Sequence, residues 1–245
     1  YHRLGFLIPF ITGAIAAPIQ LVVGDVAARE VARQQPMKFA AMELVDRTQS
    51  GVTEWLGGIY YHGHVMGGIG IPDGDSLLVG FSPHTTVTGW DSVPPGLRPP
   101  LPNLIHLSFD GMVAIGTLLL VLGAWLGWFW WFHRRVPRTR WFLVPAALSG
   151  VGAAVAMELG WIVTEVGRQP WTVYGLLLTR DAATTAQGVP VTLGVTLGIY
   201  AVLTGITISV PWLMGRRWRK ETGRQERAET TPYGPRPDRT EEVES

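Results

Sequence analysis

No cysteine occurs among the 245 residues, so the chain can build no disulfide, zinc–thiolate or iron–sulfur centre from its own side chains. Charge is also scarce. The 20 basic and 19 acidic residues amount to 16% of the chain, against roughly 25% in an ordinary soluble domain. Neither sign prevails at a net +1, and without a basic excess there is no electrostatic footprint for nucleic acid. The shortage is uneven. Fifteen of the 39 charges fall in the last thirty residues, from Arg216 onward. Upstream, four stretches carry none: Leu4–Gly24 (21 residues), Gly111–Phe132 (22), Trp141–Met157 (17) and Ala182–Gly215 (34). A transmembrane helix takes about 20 mainly apolar residues. The pattern argues against a soluble globular enzyme and for four membrane spans.

The fold class that follows is all-α: an integral membrane bundle of four transmembrane helices with a long extracytoplasmic loop. Residues 1–24 form the first transmembrane helix and 25–103 the loop. Residues 104–215 hold the second to fourth helices, and 216–245 a disordered cytoplasmic tail. Basic residues set the orientation. Arg134, Arg135, Arg138 and Arg140 lie between the second and third spans, and Arg216, Arg217, Arg219 and Lys220 follow the fourth. Both groups belong inside. The segment Asp25–Ile105, with five basic residues against eight acids, then belongs outside. Trp125, Trp128, Trp130 and Trp131 end the second span as a cytoplasmic aromatic belt. Within the loop, Asp25–Gln49 reads as an amphipathic helix along the membrane face, and Gly51–Asn103, rich in Gly, Pro, Tyr and Trp, as irregular. The chain opens on Tyr1 with no cleavable signal sequence, as if processed or begun part-way.

Ionisable groups at membrane depth are costly and mark function. The third span has two, Glu158 and Glu165, seven residues apart and therefore on one helical face, with Trp161 between them. Arg168 and Trp171 follow at the outer end, where Glu165–Arg168 pairing with an anchoring Trp171 would make a simple interfacial cap. The second span opens with His106, Asp110 and Met112. Taken singly, Met112 is a packing residue and His106 an interfacial hydrogen-bonding one. His62-Gly63-His64 has a spacing found in metal sites, as a weak pattern.

In combination these residues say more. Ser108-Phe109-Asp110-Gly111-Met112-Val113 opens one span, and Gly160-Trp161-Ile162-Val163-Thr164-Glu165-Val166-Gly167-Arg168-Gln169-Pro170-Trp171 ends the next. Together they resemble subunit I of the cytochrome bd-type quinol oxidases. Lys38-Phe39-Ala40-Ala41-Met42-Glu43 is similar to that subunit's quinol-loop motif. The resemblance covers Leu4–Arg219, about the C-terminal half of the family's subunit.

The resemblance implies a terminal respiratory oxidase that oxidises quinol at the outer face and passes electrons through haems to reduce O2 to water. Lys38 and Glu43 match the quinol-binding pair. Met112 matches the methionine on the iron of haem b558, and Glu165 the glutamate on the iron of haem b595. Trp161 packs near the haems, and Arg168 suits their propionates, which accept bidentate guanidinium bonds. A third cofactor, haem d or another haem b, would complete the set. The implied partners are subunit II, an N-terminal half of subunit I, membrane quinol and O2, in the inner membrane of a bacterium. One residue departs from the pattern: position 110 is Asp where the family often has Arg. The competing reading is a non-redox four-helix transporter fragment or scaffold, with Glu158 and Glu165 as a proton or cation relay.

Overall fold

The computed structural model describes residues 2–229. The chain divides into two compact units, Tyr1–Ala183 and Thr184–Ser245. In the first unit, helix α1 (His2–Gln34) is followed by the short α2 (Pro36–Met42). Four short strands come next: β1 (Glu54–Leu56), β2 (Ile59–Tyr61), β3 (His64–Met66) and β4 (Ile69–Ile71), then helix α3 (Gly74–Gly80). Two long helices follow, α4 (Pro102–His133) and α5 (Arg140–Val166). A hairpin of β5 (Trp171–Val173) with β6 (Leu177–Leu178) and the short α6 (Thr179–Ala182) close the unit. The second unit is built on one helix, α7 (Val189–Glu229).

Four helical stretches are long and apolar enough to cross a membrane: Leu7–Gln34, Pro95–His133, Arg140–Val166 and Val189–Arg217. The all-α membrane architecture read from the charge-free runs is therefore present. Within the first unit, α4 packs against both α1 and α5. Phe142 is fully buried at the inner seam, edge-on to Phe10 of α1 and Trp125 of α4, with Leu122, Leu126 and Ala146 around it.

Three boundaries differ from the sequence reading. The first span does not stop at residue 24, because α1 runs unbroken to Gln34. Asp25 and Arg29 form an ion pair one turn apart, so the charges after residue 24 are accommodated within the helix. Nor does Asp25–Gln49 lie on the membrane as an amphipathic helix. Pro36 disfavours helical geometry at the residue before it, Gln35 swings out (φ −136°), and α2 starts afresh. Every residue from Met37 to Met42 is buried. Last, the tail from 216 is helical as far as Glu229, in keeping with its Arg, Lys, Glu and Gln content; residues 230–245 lie outside the described residues.

The stretch that looked irregular is ordered. Strands β2 and β3 form a hairpin with Tyr61 opposite His64, and β1 and β4 pair outside it with Leu56 opposite Ile69. His62 and Gly63, both at positive φ, make the two-residue turn that suits the strand twist. The hairpins are tied to the rest by Tyr60. Its backbone exchanges two hydrogen bonds with the Asn103 side chain at the start of α4, and its ring meets Trp90 edge-on. Under this cover, Met37, Phe39, Ala40, Leu44, Val45, Val52, Val87 and Trp90 form one core, and α2 is its centre.

Candidate functional site

Helix α2 carries ionisable residues at opposite ends, and burying it carries them out of water. Lys38 is buried near the end of α5: a methyl group on Gly167 would fall 3.1 Å from its Cγ and collide with the Val163 carbonyl. Burial and the neighbouring Arg168 lower the Lys38 pKa, while Glu165 pulls it back up. Loss of hydration and a like charge both disfavour the ammonium form. The segment carrying Lys38 and the end of α5, 127 to 130 residues apart in sequence, therefore share one electrostatic environment.

Glu43 caps the other end of α2 and is only 2% exposed. Its surroundings are acidic. Burial, then Asp75, Glu54 and Asp110, push its pKa well above the usual carboxylate range. No ion pair joins Lys38 and Glu43 among the described residues. Residues five apart on a helix sit about 140° from each other, and these two look to different neighbours.

His106 is fully buried and pinned by the backbone on two sides. Its Nδ1 lies 2.6 Å from the Met42 carbonyl oxygen and its Nε2 3.1 Å from that of Gly57. Asp110 is 3.4 Å from Nε2 and accepts a short hydrogen bond from the Gly57 N–H. The residue that departs from the family pattern thus joins α4 to the hairpins. Residues 110 and 112 point about 200° apart around a helix, so Met112 belongs to a different face. Half-buried, Met112 meets α5 at Gly160, where a methyl group would sit 2.9 Å from its sulfur.

The other two sequence-predicted residues of α5 are exposed. Trp161 is 63% exposed, and the Glu165 side chain 50%, on the face that also carries exposed Glu158. Glu165 and Arg168 approach to 3.4 Å, a loose surface pair that also satisfies the simple capping role. His62 and His64 sit exposed at the hairpin turn, and no group of three His, Cys, Asp or Glu that could hold a metal occurs among the described residues.

Two members of the acidic group were missed in the sequence: Glu54 of β1 and the fully buried Asp75 of α3. The available signal was Asp73-Gly74-Asp75-Ser76, two acids in a glycine-rich turn. Nothing in that string separates an exposed Asp from a buried one.

The arrangement defines a class: a multi-pass helical membrane protein whose buried ionisable residues gather at one end of the bundle, around a short inserted helix. Within that class the assignment is specific. Residues 1–221 match the family described as Cytochrome bd terminal oxidase subunit I, and the chain belongs to that family. It is 31% identical over 215 residues to the "Putative cytochrome bd menaquinol oxidase subunit I" of Bacillus subtilis (strain 168), covering 86% of this chain and 47% of that protein. It is 28% identical over 190 residues to the cytochrome bd-II ubiquinol oxidase subunit 1 of Escherichia coli (strain K12), covering 71% and 37%. Among solved structures, the bd oxidase of Geobacillus thermodenitrificans superposes with a TM-score of 0.71 at 34% identity, over 89% of this chain and 50% of that one. The chain spans about half the length of the first of these relatives.

Proposed function

We propose that the chain is part of a membrane quinol:oxygen oxidoreductase and forms its quinol-oxidising end. The observation that carries this reading is α2. It buries Lys38 at the Gly167-Arg168 end of α5 and Glu43 among carboxylates, with six consecutive buried residues holding the two in place.

Lys38 and Glu43 suit complementary tasks. An ammonium held beside a quinol oxygen donates a hydrogen bond to it, and a carboxylate of raised pKa is a base strong enough to take a hydroxyl proton near neutral pH. The positive-inside pattern puts this end outside, so the quinol protons are released there.

Haem fits the donors available. Met112 offers a soft thioether at a seam that admits it because residue 160 is glycine. Glu165 offers a carboxylate on an exposed face, paired only loosely with Arg168. In the proposed assignment Met112 holds haem b558, Glu165 holds haem b595, Trp161 flanks them and Arg168 takes propionates. When bound, the haems supply one-electron acceptors and, with haem d or a third haem b, the place where O2 is reduced. The exposed Glu158–Trp161–Glu165 face calls for covering, which favours assembly with subunit II and a complementary N-terminal segment in a bacterial inner membrane.

Glu43→Gln removes the base and keeps the shape. In the assembled oxidase it should lower quinol-driven oxygen uptake by about 100-fold, with uptake from an artificial donor nearly unchanged. Equal loss with both donors would count against a substrate role. A visible spectrum without haem bands would instead favour the transporter reading, with Glu158 and Glu165 as a relay.

A further inference from the structure

Glu43 is not alone under the hairpins. Asp75 of α3 is 0% exposed, and neither of its carboxyl oxygens has a hydrogen-bond partner among the described residues. Glu54 of β1 lies against the preceding residue: a methyl group on Gly74 would fall 2.5 Å from Glu54 Cβ and 2.7 Å from its Oε2. Glu54 is half-buried, so the group runs from the interior to the surface. Among the described residues no Lys or Arg forms an ion pair with Glu43, Asp75 or Glu54. On α1, which packs against α3, Arg29 is engaged with Asp25 and the Phe81 ring. Asp110 and His106 face the group from α4, and Asp73 lies beside it at Gly51. No metal-holding group occurs among the described residues. A buried carboxyl group with no counter-charge is neutralised by a proton.

We propose that Asp75 is a proton relay between Glu43 and Glu54, carrying quinol protons from the buried site to the outer surface. The proposal rests on the quinol reading above. Burial and neighbouring carboxylates push Glu43 well up, Asp75 up to about 8, and Glu54 up as well. At neutral pH Asp75 therefore holds a proton, and transport proceeds by a vacancy moving inward. Glu54 releases its proton to water and is refilled from Asp75. Asp75 is refilled from Glu43, and the Glu43 carboxylate then takes a proton from a quinol hydroxyl. Each transfer breaks one O–H bond and forms another through bridging water, because neither Asp75 oxygen is hydrogen-bonded directly to its neighbours among the described residues. Two protons leave per quinol oxidised, and the two electrons go to the haem iron of the assembled oxidase.

Asp75 would act through Glu43, as a positioning residue for the proton, so the test needs readouts that packing alone does not move. In the assembled oxidase, Asp75→Asn should cut quinol-driven oxygen uptake by about tenfold or more. It should abolish the rise in rate toward pH 8 and enlarge the H2O/D2O rate ratio, with the quinol KM and artificial-donor uptake unchanged. Asp75→Glu restores a titratable group and should recover most of the rate. A structural role predicts the reverse, because Asn preserves the shape and Glu does not. Wild-type rate and pH profile in Asp75→Asn would overturn the relay. If Glu43→Gln is slow while Asp75→Asn is not, the relay alone fails. If both variants match wild type, the quinol reading fails with it. Should Asp75→Asn not assemble, infrared spectra of wild type and Asp75→Glu decide. A protonated-carboxyl C=O band that vanishes near pH 8 and shifts in Asp75→Glu supports the relay, and its absence from wild type overturns it.

Discussion

Asp75 makes the fold around α2 and the hairpins sensitive to pH in a direction opposite to that of most carboxylates. Its pKa in the folded chain, about 8, stands above the ordinary 3.8, so the folded state holds a proton that the unfolded state releases. Below about pH 4 both states are protonated and nothing is lost. As pH climbs from about 4 to about 8 the unfolded state gains stability by ionising, and above that the loss levels off. A shift of this size corresponds to at most about 6 kcal/mol. Melting of the purified complex should therefore occur at lower temperature as pH rises through this window, and Asp75→Asn should flatten the trend. Met112→Leu tests a different residue, keeping volume and removing the sulfur. The assembled oxidase should then lose its low-spin b-haem absorbance or turn high-spin; an unchanged spectrum and midpoint potential would exclude Met112 as the ligand.

At the scale of elements, α2 and the end of α5 depend on one another through Gly167. A Cβ there meets the Val163 carbonyl and the Lys38 side chain at once. Gly167→Ala should cost about 1–3 kcal/mol, as overpacking does, and raise the quinol KM more than Ala substitution at Gly150, where a Cβ meets nothing within 4 Å. The long elements were legible in the sequence because the bilayer requirement is one-dimensional: about 20 apolar residues in a row can be counted. Lys38, Glu43, Met112 and Glu165 stood out because they sit in dense motifs. The hairpins, α2 as a buried element, and Asp75 were not legible. Three-residue strands carry too few alternations to register, and Ala40-Ala41 is compatible with surface or core alike. The residues on either side of Asp75 are held by the strand region some twenty residues away in sequence: Gly74 lies against Glu54, and Ser76 accepts a hydrogen bond from the Val52 N–H.

For the whole molecule, the exposed faces predict how the chain behaves by itself. Glu158, Trp161 and Glu165 form a stripe with no protein over it within the described first unit. Facing hydrocarbon, each carboxyl group would cost about 2–3 kcal/mol. Expressed without its partners in membranes lacking other oxidases, the chain should bind haem substoichiometrically and show no quinol-driven oxygen uptake. Stoichiometric haem with turnover would overturn the need for a complementary segment.

The two-residue turn at His62-Gly63 offers a practical handle. It is solvent-open, it closes a short ladder, and the buried core begins only beneath it, at Tyr60 and Trp90. Loop tips of this kind accept inserted sequence readily. An epitope spliced between His62 and Gly63 should leave the spectrum of the assembled oxidase intact and be stained by antibody added outside the sealed membrane that holds the protein. Staining only after that membrane is permeabilised would turn the whole bundle upside down.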